Sequence, residues 1–219
     1  FSPAESAARA RLGKVVVYDP TSTLSDIALG NKASFGTATI PAHRIDEADL
    51  ILAIEADFIG TWLAPEYYTK QWAARREPSS GRMNRLISAE AAMSLTGSNA
   101  DQRLAISAGS HTAFALGLAN LLLPGSALAG DGTARAAVQA YTPAAVAKVT
   151  GLTEKQIIEV AEELKNYKGR SLVLGGGINA STLVAGELQI AVNLLNALLG
   201  NEGYVALAAA LVASASFAW

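Results

Sequence analysis

Apolar runs of four or five residues alternate along this chain with stretches of helical period, the pattern of repeated strand–helix–strand units. The first run is Lys14-Val15-Val16-Val17-Tyr18, closed by Asp19-Pro20. Thr21 or Ser22 then caps a helix reaching about Leu29, and Gly30-Asn31 is expected to stop it. A second run, Leu50 to Ile54, follows the acidic turn Asp46-Glu47-Ala48-Asp49. The next helix runs from about Pro65, which suits a first turn, to Arg76, with Arg75 and Arg76 at the negative end of its dipole. Further strands are expected at Arg85–Ser88 and Arg103–Ile106.

Gly109-Ser110 opens a helix to Leu123 whose near-continuous hydrophobicity implies burial on most sides, and Pro124-Gly125 ends it. Thr142-Pro143 starts a short helix. Thr153 and Gln156 have capping-box spacing for a helix to about Tyr167, with Ile157, Ile158, Val160, Ala161 and Leu164 on its buried face. Ser171–Leu174 reads as a strand entering Gly175-Gly176-Gly177, and the last helix covers about Glu187–Leu199.

The order predicts an α/β fold with a doubly wound, mostly parallel sheet and flanking helices. We expect a first α/β lobe over 1–125 and a mobile Gly- and Ala-rich insertion over 126–141. A second α/β lobe follows over 142–203, then an apolar tail over 204–219. The tail is shorter than the ~20 apolar residues of a bilayer span, so burial or contact with a partner is expected there. The chain begins at Phe1 rather than Met, as a processed protein or a fragment would.

Composition narrows the chemistry. The net charge of −2 gives no electrostatic case for nucleic acid. Arg75, Arg76, Arg82 and Arg85 cluster, and read as a solvated loop. The absence of cysteine excludes a disulfide, a thiolate metal ligand and an iron–sulfur cluster held by this chain. The two histidines, His43 and His111, have no metal-ligand spacing.

Doubly wound sheets bind ligands beyond the carboxyl ends of their strands, and three segments fall there. Gly175-Gly176-Gly177 would let backbone amides approach a phosphate, but lacks both the P-loop and the G-x-G-x-x-G pattern; the alternative is a tight turn. Glu55 and Asp57 follow the second apolar run and suit either acid–base work or helix capping. Ser94 to Asp101, with Gly97, Ser98 and Asn99, could receive phosphate or sugar hydroxyls, or satisfy its own backbone. His111, on a helix first turn, reads as a neutral, hydrogen-bonded structural residue.

Ile45-Asp46-Glu47-Ala48-Asp49-Leu50-Ile51-Leu52 with Ala56-Asp57-Phe58-Ile59-Gly60-Thr61-Trp62 resembles the "E-A-D-x-I … A-D-F-L-G-T-W" segment of molybdopterin oxidoreductases. Met83-Asn84-Arg85-Leu86 and Leu95-Thr96-Gly97 through Ala100-Asp101-Gln102-Arg103-Leu104 resemble a block most typical of the iron–sulfur subunit of alternative complex III. Thr150-Gly151-Leu152 to Gly177, and Leu199-Gly200-Asn201-Glu202-Gly203, are similar to the superfamily's later glycine motifs.

Departures from the pattern shape what the resemblance implies. Ile106-Ser107-Ala108-Gly109-Ser110-His111 lacks the Arg and Asp of "I-R-P-G-T-D", where guanine is held. Ile178-Asn179-Ala180-Ser181 stands where a histidine-bearing loop is common.

The resemblance therefore implies a cofactor-free scaffold with a vestigial pterin-type crevice at Asp57, Gly97, Ser98, Asn99, Gly175, Gly176 and Gly177. It implies no catalytic residue, metal or cofactor in this chain, with iron–sulfur clusters elsewhere in the parent subunit. The implied partners are membrane quinol-oxidising subunits, c-type haem subunits and the iron–sulfur domain, at the periplasmic or outer face of a bacterial cytoplasmic membrane. The alternatives are a fragment of a true molybdenum bis-pterin reductase of polysulfide or tetrathionate type, and the central domain of a thiamine-diphosphate enzyme.

Overall fold

Leu50 to Ile54 is fully buried at every position, which explains why it reads as a continuous apolar run rather than an alternating one. The computed structural model describes residues 21, 23–81, 83–180, 185–201 and 205–206. The described chain opens with helix α1 (Thr23–Phe35) and the short strand β1 (Ala42–His43). Strand β2 (Leu50–Ile54), helix α2 (Pro65–Ala74), strand β3 (Arg85–Glu90), the single turn α3 (Leu95–Ser98) and strand β4 (Gln102–Ala105) follow. Helices α4 (His111–Leu122), α5 (Gly132–Val138), α6 (Pro143–Thr150) and α7 (Glu154–Asn166) then lead to β5 (Ser171–Gly175), helix α8 (Ala185–Leu199) and β6 (Val205–Ala206).

The main sheet has the order β4-β3-β2-β5 and every neighbouring pair is parallel. Its two faces divide the core. Leu50, Leu52, Ile54, Ile87 and Val173 pack with Phe114 of α4, Leu164 of α7 and Leu195 of α8. On the other face Ile51, Ala53, Leu86, Leu172 and Leu174 pack with Ile27 of α1 and with Phe58, Trp62 and Tyr68. Helices thus cover both faces, the doubly wound arrangement that the alternating pattern implies. Strand β5 comes from the 142–203 stretch and lies beside β2 from the 1–125 stretch, in one sheet. Within 126–141, α5 is capped by Asp131 and buries Ala134 and Val138.

Local signals place most helix starts. Thr153 and Gln156 form the capping box of α7. The Thr142 hydroxyl accepts from the Ala145 amide, with Pro143 in the first turn of α6. Gly30-Asn31 does not stop α1, contrary to the expectation from sequence. Asn31 instead donates to the Thr39 carbonyl (2.8 Å) and accepts from Asn193 of α8 (2.9 Å), so tertiary bonds override the local stop signal.

The arginine cluster is not a solvated loop. Arg75 pairs with Asp49 (2.5 Å), Arg76 with Asp101 (3.0 Å) and Arg85 with Glu163, because acidic partners sit around the amino ends of the strands. The strand expected at 14–18, with Ser22 and Arg82, lies outside the described residues. So does most of the 204–219 tail, apart from Val205 and Ala206. These two pair antiparallel with His43 and Ala42.

Among the described residues β5 is an edge strand, and α8 closes that edge. The Asn196 side chain accepts from the Val173 amide (3.0 Å) and donates to the Val173 carbonyl (2.9 Å), replacing a missing strand neighbour. Asn201 adds a bond to Ser171 (3.0 Å). Replacing Asn196 by Ala leaves the Val173 amide and carbonyl buried without partners, so about 2–3 kcal/mol of stability should be lost in urea unfolding.

Candidate functional site

From β2 the chain moves outward through β3 to β4, and then returns on the other side of β2 as β5. The order therefore reverses between β2 and β5. Ligands of doubly wound sheets sit in the crevice at such a reversal. Here the crevice is edged by Glu55 and Asp57 after β2, by the α3 turn after β3, and by Gly175-Gly176-Gly177 after β5.

Three buried carboxylates organise this edge. Asp57 accepts from the Thr96 amide and hydroxyl (both 2.9 Å) and from the Thr61 hydroxyl (3.2 Å). Glu90 accepts from Arg103 (2.6 Å) and from the Ser94 hydroxyl (2.6 Å). Glu55 accepts from the Ala91 amide (3.0 Å), while its other carboxyl oxygen is buried without a partner among the described residues. Burial, with a further push from Glu90, raises the Glu55 carboxyl to about 7. Its backbone has φ 57°, the left-handed region that a non-glycine residue rarely adopts.

Gly97 is packed against this cluster. A Cβ there would lie 1.7 Å from a Glu90 carboxylate oxygen, so the close approach requires glycine. On the β5 side, Trp62 crosses the glycine turn. Its indole N–H donates to the Gly175 carbonyl (3.2 Å), and a Cβ on Gly177 would lie 3.0 Å from the ring. Trp62 also stacks with His43 (centroids 5.2 Å) and Tyr68 (5.4 Å). Burial lowers His43 to about 4, so it is neutral at physiological pH.

Of the residues named from sequence, Asp57, Gly97 and the three glycines lie at the carboxyl ends of neighbouring strands. Ser98 and Asn99 are exposed, and each donates to the Leu95 carbonyl, satisfying its own turn. His111 is buried and burial lowers its pKa. Its expected hydrogen bond is not found: neither ring nitrogen has a partner among the described residues. Sequence reasoning missed Glu90 and Arg103, while Thr96 lies inside the segment from Ser94 to Asp101 that it named. Glu90 directly extends the strand Arg85-Leu86-Ile87-Ser88, and an acidic residue ending an apolar strand was a usable signal. No group of three or more candidate metal ligands occurs among the described residues.

The parallel sheet, its reversal and the helices on both faces define a doubly wound α/β domain. No family model matches the chain. It is 29% identical over 168 residues to the menaquinone reductase, molybdopterin-binding-like subunit of Nitratidesulfovibrio vulgaris, a match covering 74% of this chain and 24% of the relative. Its fold is similar to acetylene hydratase from Pelobacter acetylenicus, with TM-score 0.65 and 16% identity over 82% of this chain and 25% of that one. The chain thus spans about a quarter of the length of each. The fold is that of a molybdopterin-oxidoreductase-like core.

Two outcomes are expected. Gly97→Ala must displace Glu90 or α3, at a cost of about 2–3 kcal/mol read by urea unfolding. Neutral His43 contributes stability that is fully present above the ordinary value of 6.5 and is lost as pH falls through about 4. A pH series of unfolding free energies should therefore show less acid loss in that window for His43→Gln, by up to about 1.4 kcal/mol per pH unit.

Proposed function

We propose that the chain is a cofactor-free, molybdopterin-oxidoreductase-like scaffold lobe of an electron-transfer subunit. The parent assembly on this reading is a quinol-oxidising respiratory or photosynthetic complex of alternative complex III type. The sequence match to a subunit named molybdopterin-binding-like, of a menaquinone reductase, supports an electron-transfer setting. The resemblance of the Met83–Leu104 block supports the finer assignment.

The observation that carries the cofactor-free part is how the crevice's polar groups are engaged. Asp57 is bonded to Thr96 and Thr61, and Gly97 lies against Glu90. Trp62 lies across Gly175 and Gly177. A pterin nucleotide needs donors, acceptors and open glycine backbone at these positions, and would have to displace this protein-to-protein network. The chain also has no cysteine to ligate a metal. These residues do not fit the group, and Asp57, Gly97, Ser98, Asn99, Gly175, Gly176 and Gly177 are read as a vestigial crevice.

The lobe's work on this reading is mechanical. A rigid sheet covered on both faces holds an iron–sulfur domain within electron-tunnelling reach of c-type haem subunits, and docks on membrane quinol-oxidising subunits. On this reading it lies at the periplasmic or outer face of a bacterial cytoplasmic membrane. Among the described residues no helix is long and apolar enough to cross a membrane.

Metal and pterin analysis of the purified intact subunit tests the proposal. Molybdenum and pterin far below one per subunit are expected; stoichiometric amounts of both would overturn it. His111→Ala should leave quinol oxidation by the assembled complex within about twofold of the parent, since a neutral buried imidazole outside the crevice carries no step.

A further inference from the structure

The three carboxylates at the crevice edge grip one loop at successive points. Glu55 holds the Ala91 amide (3.0 Å), Glu90 holds the Ser94 hydroxyl (2.6 Å), and Asp57 holds the Thr96 amide (2.9 Å). The loop from Ala91 to Ser98 therefore has little apolar anchorage of its own: Met93 is 70% exposed and Leu95 57%. The three carboxylate acceptors that hold it carry the same sign of charge when ionised, while Arg103 adds a bond to the Ala91 carbonyl (3.4 Å).

Arg103, paired with Glu90, is the cation that this cluster engages among the described residues. The groups around Glu55 are Glu90 of β3, Arg103 of β4 and Asp57 of its own loop, while β5 presents the uncharged Gly175-Gly176-Gly177 turn. One cation balances one of three carboxylates. Glu55 also has one oxygen with no partner among the described residues and a backbone in a sparsely populated conformation. Such strain persists only where the surroundings hold it.

We propose that Glu55 is the proton-controlled catch of this loop: neutral, it keeps Ala91–Ser98 closed over the carboxyl edge, and ionised, it lets the loop open. The inference is independent of the scaffold reading, since it concerns only the chain's own groups.

The sign follows from linkage. In the closed loop the Glu55 carboxyl stands at about 7, and in an open loop it returns to its ordinary value of 4.5. A raised folded value contributes stability that is fully present below 4.5 and is lost as pH rises to about 7. Between about pH 6 and about pH 8 the loop's opening constant should then rise about tenfold, and level off above that.

Hydrogen exchange of the full-length protein, corrected for the intrinsic pH dependence of exchange, reads this directly. We expect protection of the peptide spanning 91–97 to fall about tenfold from about pH 6 to about pH 8. Protection of β5 should be unchanged. Glu55→Gln, which cannot ionise, should keep the low-pH protection throughout. A parent protein without that pH dependence, or a Glu55→Gln protein that retains it, overturns the proposal. Should Glu55→Gln not fold, infrared difference spectra of the parent protein labelled at glutamate carboxyls provide the second reading. One protonated-carboxyl band must disappear between the two pH values; its absence overturns the proposal equally.

Discussion

The parallel pairing of β5 with β2 is the constraint on which the remaining structure depends. It creates the reversal of strand order, and with it the crevice where the Glu55 backbone meets Gly177. It also brings Leu172 and Leu174 under α1 and Val173 under α8, joining the two core layers through one strand. Because β5 lies at an edge among the described residues, its outward backbone groups need partners other than a strand. Asn196 supplies them at Val173, and Asn201 bonds the Ser171 hydroxyl beside it. Buried amides here stabilise less by their own bonds than by preventing buried backbone groups from going unpaired.

Much of the fold was legible because its signals are local. β2 was readable from a fully apolar run, α7 from Thr153 and Gln156, and α6 from Thr142-Pro143. What escaped depends on residues distant in sequence. Gly30-Asn31 looks like a helix stop until Asn193, 162 positions later, is placed against it. The arginines around 75–85 look like loop solvation until Asp49, Asp101 and Glu163 are seen beside them. The crevice shows the same division. Its glycines and Asp57 were named from strand ends, but the tight packing of Gly97 on Glu90 required knowing that α3 folds back over β3.

The crevice is also where local preference and tertiary demand disagree most. Glu55 takes a glycine-like backbone, keeps an unpaired buried oxygen and stands at about 7 instead of the usual carboxylate range. His43, on the same side as Trp62 and Tyr68, is displaced the other way by burial alone. Acid therefore acts on the two residues in opposite senses: it favours the neutral form of Glu55 and disfavours the neutral form of His43. The contrast with Asp49 is informative. Burial pushes that carboxyl up, but Arg75 and Arg170 outweigh it and hold it below the usual range. A carboxylate at the amino ends of the strands meets two arginines; at the carboxyl ends, among the described residues, only Glu90 of the three carboxylates is paired with one.

The sequence distance between β2 and β5 has a consequence for synthesis. Arg170, at the start of β5, binds Asp49, 121 residues earlier. While the chain emerges from the ribosome, β2, β3 and β4 become available as a three-stranded sheet long before the residues that belong on the far side of β2. Through that interval the most apolar strand of the domain presents a bare edge, a template for pairing with any extended neighbour. Long-range parallel pairing is also slow to form. The domain is thus most vulnerable to aggregation during its own translation, and a chaperone acting on the nascent chain would be most useful before residue 171 is exposed.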